Sequence, residues 1–439
     1  MSEARLHERQ DTYAPSTTRE GDGFRSENNH TRPGITSPAQ RRGASHARVI
    51  FRWIYLMTTG LLAFNGAFAQ NCSNPVFANS HEYLENNTDN IYFATNRNVS
   101  GASFGNDIAS PSFGYSQALF TELPRRRYFD GMENALDVKT GRLIPLTEAE
   151  MIEDVSRLAN SGGPFDPMRP TDSVLVYIHG FANDFHHALC RASEIKHRAR
   201  FEGSLILFSW PASDTIEFDN LQGLWNGIHV DSEYEHDSAT ANDERTVSAL
   251  VEFLQKLRKR VPACRTVLVA HSMGNQLLLK AVQNLAIQPG DRYRAIVMLA
   301  PDVGVSRLQA SLPALSADAK RSVLYVNKED KALWVSDQKN KEERAGRVDL
   351  LDPNGYMETV DITRATHDAG WMHHADHLET TALYDLFWNV VRDQPAECRE
   401  ERGISVKKGA MWEILPSDTT YDVEALKSQC RLKNAQQCH

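Results

Sequence analysis

The sequence predicts an α/β domain built as a doubly wound, mostly parallel sheet flanked by helices. Three observations predict it. Short aliphatic runs recur from residue 173 onward, helical patterns separate them, and the runs are apolar at nearly every position instead of every second one. A strand that is apolar throughout is buried on both faces, the situation of a parallel sheet covered by helices. Strands alternating with helices of this size build a doubly wound fold.

The elements follow in order. Residues 88–170 are less regular: DNIYFATNRN reads as a strand running into a turn, 101–115 is loop-rich, and the first, antiparallel strands of the same sheet are expected here. SVLVYIHG (173–180) is the first buried strand, followed by a helical pattern at 183–200. SLILFSW (204–210) comes next, then a long connection and a helix at 241–259 that stops before Pro262. TVLVAHS (266–272) leads into a helix at 273–286, closed by Pro289-Gly290. AIVMLAPD (295–302), a helix at 305–316, SVLYVN (322–327), the short strand METVDIT and a last helix from Asp376 to Val391 complete the set. From 394 to 439 the chain is charged and Cys-containing, with weak strand and helix signals, and reads as a C-terminal tail.

Composition narrows the class. The 439 residues are 41% apolar, and 18 Pro with 25 Gly exclude a collagen-like or wholly disordered chain. A net charge of −9 argues against nucleic-acid binding, since a run of phosphates would go unneutralised. The charge is uneven: residues 1–52 hold nine Arg, no Lys and six acids, for +3, residues 53–70 hold none, and the remainder carries −12. A basic head, an apolar run and an acidic body describe an exported protein.

Residues 1–46 are polar and rich in turn formers, and are expected to be a disordered extension. Residues 47–69 read as a signal peptide or membrane anchor. The uncharged run WIYLMTTGLLAFNGAFA (53–69) ends in Ala67-Phe68-Ala69, which a signal peptidase accommodates before Gln70. A retained anchor over 53–69, associated with a membrane, is the alternative, and a buried core helix the third reading. Translation starting near Val49 would make this signal compact. The domain proper then spans 70–393 and the tail 394–439.

Six cysteines, Cys72, Cys190, Cys264, Cys398, Cys430 and Cys438, are compatible with disulfides in an exported chain. Cys72, Cys398, Cys430 and Cys438 flank the body and could staple its ends, whereas Cys190 and Cys264 read equally well as buried free thiols. No zinc-type spacing occurs.

Four features carry chemistry. Ala270-His271-Ser272-Met273-Gly274 lies where an aliphatic strand meets a helix, the context in which a sharp turn thrusts a serine hydroxyl out of a sheet edge. The bland alternative is a serine capping a helix. Tyr177-Ile178-His179-Gly180-Phe181 ends an earlier strand, where a turn can supply one oxyanion N–H, from Phe181, while Met273 supplies the other. Asp330, after SVLYVN, is the favoured acid, with Asp302 the alternative that would otherwise cap the next helix or brace its loop. HDAGWMHHADH (367–377) offers His373, favoured, or His374 as the base, with His367 and His377 behind them. A metal site from these histidines with Asp368 and Asp376 is the competing reading; neither metal nor cofactor is expected. Trp210 and Trp371 could wall an apolar pocket or simply fill core, and 214–235 could form part of a lid.

With these residues in place the chain resembles the α/β-hydrolase superfamily, and within it a bacterial branch of largely uncharacterised, often exported esterase- or lipase-like proteins. The likeness runs from about Asn90 to Val391. It rests on IYFATNRN (91–98), VYIHGFANDFHHAL (176–189), LFSWPAS (207–213), YEHDSATAN (234–242), VLVAHSMGNQLLLKAV (267–282), MLAPDV (298–303) and EDKALWVS (329–336). Ala270 in place of the usual Gly, the doubled histidine and the Cys-rich tail depart from the pattern. The resemblance implies an α/β-hydrolase fold, Ser272 as nucleophile, Asp330 as acid and one of His373 and His374 as base. The expectation is an exported serine hydrolase acting on a small-molecule or lipid-like carboxylic ester. Amidase or thioesterase chemistry would use the same parts. A non-catalytic envelope scaffold and a metal-dependent hydrolase are the rivals.

Overall fold

The computed structural model describes Cys72–Ser73 and residues 88–415, apart from 123–125, 129–130, 134–135, 161–171, 200, 214–227, 286–290, 351, 353, 366–372, 375–379 and 402. The export segment, the histidines at 367 and 377, Trp371, Asp368, Asp376, Cys430 and Cys438 lie outside the described residues, as does most of the 214–235 stretch. Among the described residues no helix is long and apolar enough to cross a membrane.

The strands in chain order are β1 (Cys72–Ser73), β2 (Thr88–Ser100), β3 (Ser103–Glu122), β4 (Arg126–Tyr128), β5 (Gly131–Glu133), β6 (Leu136–Thr140), β7 (Ile144–Leu146), β8 (Val174–Ile178), β9 (Ser204–Ser209), β10 (Thr266–His271), β11 (Tyr293–Leu299), β12 (Ala319–Val326), β13 (Glu358–Asp361), β14 (Ser405–Lys408) and β15 (Met411–Ile414). The helices are α1 (Glu148–Asn160), α2 (Phe185–Arg198), α3 (Ile228–Ala241), α4 (Glu244–Arg258), α5 (Gly274–Asn284), α6 (Val305–Asp318), α7 (Lys331–Asn340), α8 (Thr380–Asp385, continued as a π turn over Leu386–Val391) and α9 (Cys398–Glu401).

All but β4 and β5 join one sheet, in the order β1-β6-β3-β2-β9-β8-β10-β11-β12-β13-β15-β14, with β7 on β3. From β2 to β15 neighbours are parallel; β3 with β2 and with β6, and β14 with β15, are antiparallel. Of the early strands β2, β3, β6 and β7 are thus in one sheet with the five aliphatic strands, while β4 and β5 form an antiparallel pair of their own. Residues 405–414, read from sequence as part of a separate tail, instead add two strands to it, because β15 pairs along β13.

Side chains alternate between the two faces, as the pleat requires. Val174, Val176 and Ile178 enter one core with α1, α4, α5 and α6, while Leu175 and Tyr177 enter the other with α2 and the 380–391 helix. The helix faces follow from connection direction. Leaving β8 the chain moves to β9, then returns past β8 to β10 and continues to β11 and β12. Right-handed crossovers running in opposite directions place their helices on opposite faces. The reversal leaves a crevice between the carboxyl ends of β8 and β10, where an open α/β sheet binds its ligand.

Candidate active site

Two loops meet in that crevice because glycines allow it. A β-carbon at Gly274 would overlap the carbonyl oxygen of His179, and one at Gly180 would stand 2.9 Å from Ser272 Cβ. The end of β8 therefore packs directly against the β10–α5 turn.

Ser272 sits on this turn with φ 51°, a left-handed conformation that costs a non-glycine residue about 1–2 kcal/mol. The turn is held on all sides. The Ser272 N–H donates to the Leu299 carbonyl (3.0 Å), and its own carbonyl accepts from the Asn275 N–H (3.1 Å), Asn275 Nδ2 (3.0 Å) and the Asp302 N–H (3.2 Å). The helix-capping alternative does not describe this serine: Met273 occupies the N-cap position of α5, without a side-chain cap.

His374 lies between Ser272 and Asp330. Its Nδ1 is 2.7 Å from Asp330 Oδ2 and its Nε2 is 3.0 Å from Ser272 Oγ. A carboxylate only accepts, so Nδ1 carries the proton and Nε2 is free to accept from the serine hydroxyl. Asp330 is fully buried and doubly committed, since its other oxygen caps α7 through the Leu333 N–H at 2.9 Å. That cap fixes the carboxylate independently of the histidine.

His373, the residue favoured from sequence, is placed elsewhere. It takes φ 54°, its carbonyl accepts from Asn327 Nδ2 (3.1 Å), and its ring faces Glu329 at 3.9 Å. The left-handed residue is what turns His374 toward the serine. Beside it, His271 Nε2 lies 3.3 Å from the His374 carbonyl. Asn327 and His271 thus pin the histidine loop from two sides. Neither was singled out from sequence, although His271 stands next to the serine.

Asp302 is not in contact with the histidine. Its carboxylate accepts from Tyr234 (2.9 Å) and Ser336 (2.6 Å) and pairs with Arg344 (3.3 Å), while its backbone braces Ser272. Gly304, not Asp302, occupies the N-cap position of α6. Of the two expected roles, it has the bracing one.

The Phe181 and Met273 N–H groups donate to no acceptor among the described residues. Beneath them His179 is fully buried and stacked on Trp210, their ring centroids 5.1 Å apart. Burial, and after it the Arg97 charge, push its pKa down to about 3. The ring is therefore neutral, with one N–H to place, and Nδ1 against the Gly180 carbonyl at 2.9 Å is the shorter contact. Trp210 is wholly buried, with its Nε1 donating to the His179 carbonyl, so it is core and does not line an open pocket.

Among the described residues no cluster of His, Cys, Asp and Glu could hold a metal ion. Cys190, Cys264 and Cys398 are each disulfide-bonded, so the free-thiol alternative for the first two does not hold.

Residues 166–392 match the family described as "Alpha/beta hydrolase of unknown function (DUF900)". No curated protein matches the sequence. Similar solved structures include an extracellular α/β-hydrolase from a Paenibacillus species, 15% identical, with 47% of this chain and 86% of that one covered at a TM-score of 0.21. Another is MenH from S. aureus, 13% identical, with 60% and 91% covered at a TM-score of 0.22. The family match takes in just over half of the 439 residues and both loops of the crevice, and the chain belongs to this α/β-hydrolase family.

Proposed function

We propose that the protein is a serine hydrolase that cleaves carboxylic esters through an acyl-enzyme. The observation that carries this reading is His374 bridging Ser272 Oγ and Asp330 Oδ2 at 3.0 and 2.7 Å. Ser272 Oγ attacks the ester carbonyl as its proton passes to His374 Nε2, and the carbonyl electrons move onto the oxygen. The Phe181 and Met273 amides receive that oxyanion. Collapse expels the alcohol, which takes the proton from His374. Water then attacks the acyl-serine, its proton going to His374, and the acid leaves as Ser272 regains a hydrogen. Asp330 keeps the imidazole in the required tautomer and stabilises its charged form.

The protein acts outside the cytoplasm in this reading. Disulfides at Cys190, Cys264 and Cys398 belong to an oxidising compartment, and the 53–69 segment supplies the route, by cleavage after Ala69 or as a retained anchor.

The test is labelling of the purified full chain with a fluorophosphonate, beside Ser272→Ala, with short p-nitrophenyl esters as reporters. Labelling lost in the variant together with ester turnover in the wild type supports the reading. A folded wild-type chain that neither labels nor turns over would leave the scaffold reading standing. Thioester and amide reporters in the same assay separate the alternatives that use the same atoms.

A further inference from the structure

YEHDSATAN (234–242) has no part in the chemistry above, yet it faces the site. Tyr234, Asp237 and Ser238 of α3 fall at i, i+3 and i+4, on one side of the helix, and Asn242, just past its end, continues that line. A helix against a core ordinarily presents apolar residues there; this one presents four polar groups, and all are engaged. Tyr234 holds the Asp302 carboxylate at 2.9 Å. Ser238 Oγ (3.0 Å) and Asn242 Nδ2 (2.8 Å) converge on Gln276 Oε1, and Gln276 Nε2 donates to the Asp302 carbonyl (3.0 Å).

Asp237 is the most costly of the four, because it is fully buried. Its two oxygens take one backbone N–H each: Ala182 at 3.0 Å and Ser213 at 2.7 Å, with His236 Nδ1 at 3.4 Å from the second oxygen. Ala182 follows Phe181 and stands at φ 50°, where an alanine resists staying. The rest of the loop is also held by hydrogen bonds. Asn183 Nδ2 donates to the Phe181 carbonyl (2.7 Å), and the buried Arg97 donates to the Asn183 carbonyl (2.6 Å). With the Phe181 carbonyl and the Ala182 N–H both occupied, the geometry of the turn around the Phe181 N–H is set from both sides.

We infer that Asp237 is a positioning residue, whose carboxylate clamps Ala182 in its left-handed conformation and so aims the Phe181 N–H at the oxyanion. This deepens the proposed function and rests on it. The clamp acts in the transition state and leaves ground-state binding alone, so it belongs in kcat and not in KM.

The experiment compares wild type, Asp237→Asn and Asp237→Asn/Ala182→Gly. Asn keeps the shape but presents one acceptor where two are needed. Turnover of a p-nitrophenyl ester is expressed per Ser272 titrated by fluorophosphonate, which removes any unfolded fraction. A short alkyl trifluoromethyl ketone, which adds the serine to give an oxyanion, is run as an inhibitor alongside. Expected are a fall in kcat of about 10- to 100-fold with KM within about twofold, and a parallel rise in the ketone's Ki. Partial recovery is expected in the double variant, since glycine accepts the left-handed conformation without a clamp. An active wild type with Asp237→Asn equal to it per titrated serine overturns the inference alone, and so does a kcat loss that the ketone does not mirror. An inert wild type overturns the proposed function and this inference with it.

Discussion

The backbone N–H of Asp302 donates to the carbonyl of Ser272 across 3.2 Å, while the carboxylate of Asp302 points away from His374 into Tyr234, Ser336 and Arg344. Two carboxylates at adjacent strand ends thus have different tasks under the proposed chemistry. Asp330→Asn reverses the tautomer of His374 and should lower kcat by roughly 10³- to 10⁴-fold. Asp302→Asn disturbs only the brace and should cost no more than about 10²-fold. Steady-state ester hydrolysis by the two variants gives the ranking.

The two adjacent histidines should separate just as clearly. His374→Ala is expected to abolish fluorophosphonate labelling and lower kcat by about 10⁴-fold or more. His373→Gly keeps the φ of 54° without a side-chain penalty and should retain labelling, with kcat within about tenfold. Labelling rates at equal protein concentration decide it.

Gly274→Ala would push a methyl into the His179 carbonyl, which is backbone and cannot swing aside. Overpacking of this kind destabilises by about 1–3 kcal/mol, and here it also forces the β8 loop away from Ser272. Urea denaturation should show the lower stability, and ester turnover a loss greater than the unfolded fraction explains.

Acid stability depends on the far edge of the sheet. Burial opposes ionisation of Glu358, but Arg321 and then Arg399 outweigh it and hold the carboxyl down to about 2, against a usual 4.5. The native state then binds fewer protons than the unfolded chain, so the contribution is full above pH 4.5 and is lost as the pH falls toward 2. It is worth at most about 3 kcal/mol. Denaturation curves between pH 6 and pH 3 should show wild-type stability falling more steeply than that of Glu358→Gln, and equal slopes would remove the claim.

Much of this was legible in the sequence, for reasons the structure makes plain. Strands such as VLVYI and TVLVAH are buried on both faces, so their composition announces them. Ser272 and Asp330 stand out in the sequence because they lie at or just beyond the ends of such strands. His374 could not be told from His373, since the choice lies in one backbone dihedral that neither side chain encodes. The helix α3 was read as a connection because its inward face is polar and shows no apolar period. Strands β14 and β15 give only weak signals for a related reason: four residues each, with Val406, Lys407 and Lys408 exposed, they join the sheet because β15 pairs with residues 358–361 and β14 with β15.

That last pairing bears on how the protein can be shortened. The family match ends at residue 392, and composition also changes there, which invites a fragment ending near 393. Such a fragment would lack β15, leaving β13 as an open edge with its N–H and C=O groups unpaired. It would also lack Arg399, whose guanidinium forms a bidentate pair with the buried Asp385 at 2.6 and 3.0 Å. An unpaired edge next to an orphaned buried charge is a template for self-association. The boundary that looks natural on paper is therefore the one at which a fragment should self-associate, whereas one carried through Leu415 keeps both the β13–β15 pairing and the Arg399–Asp385 pair.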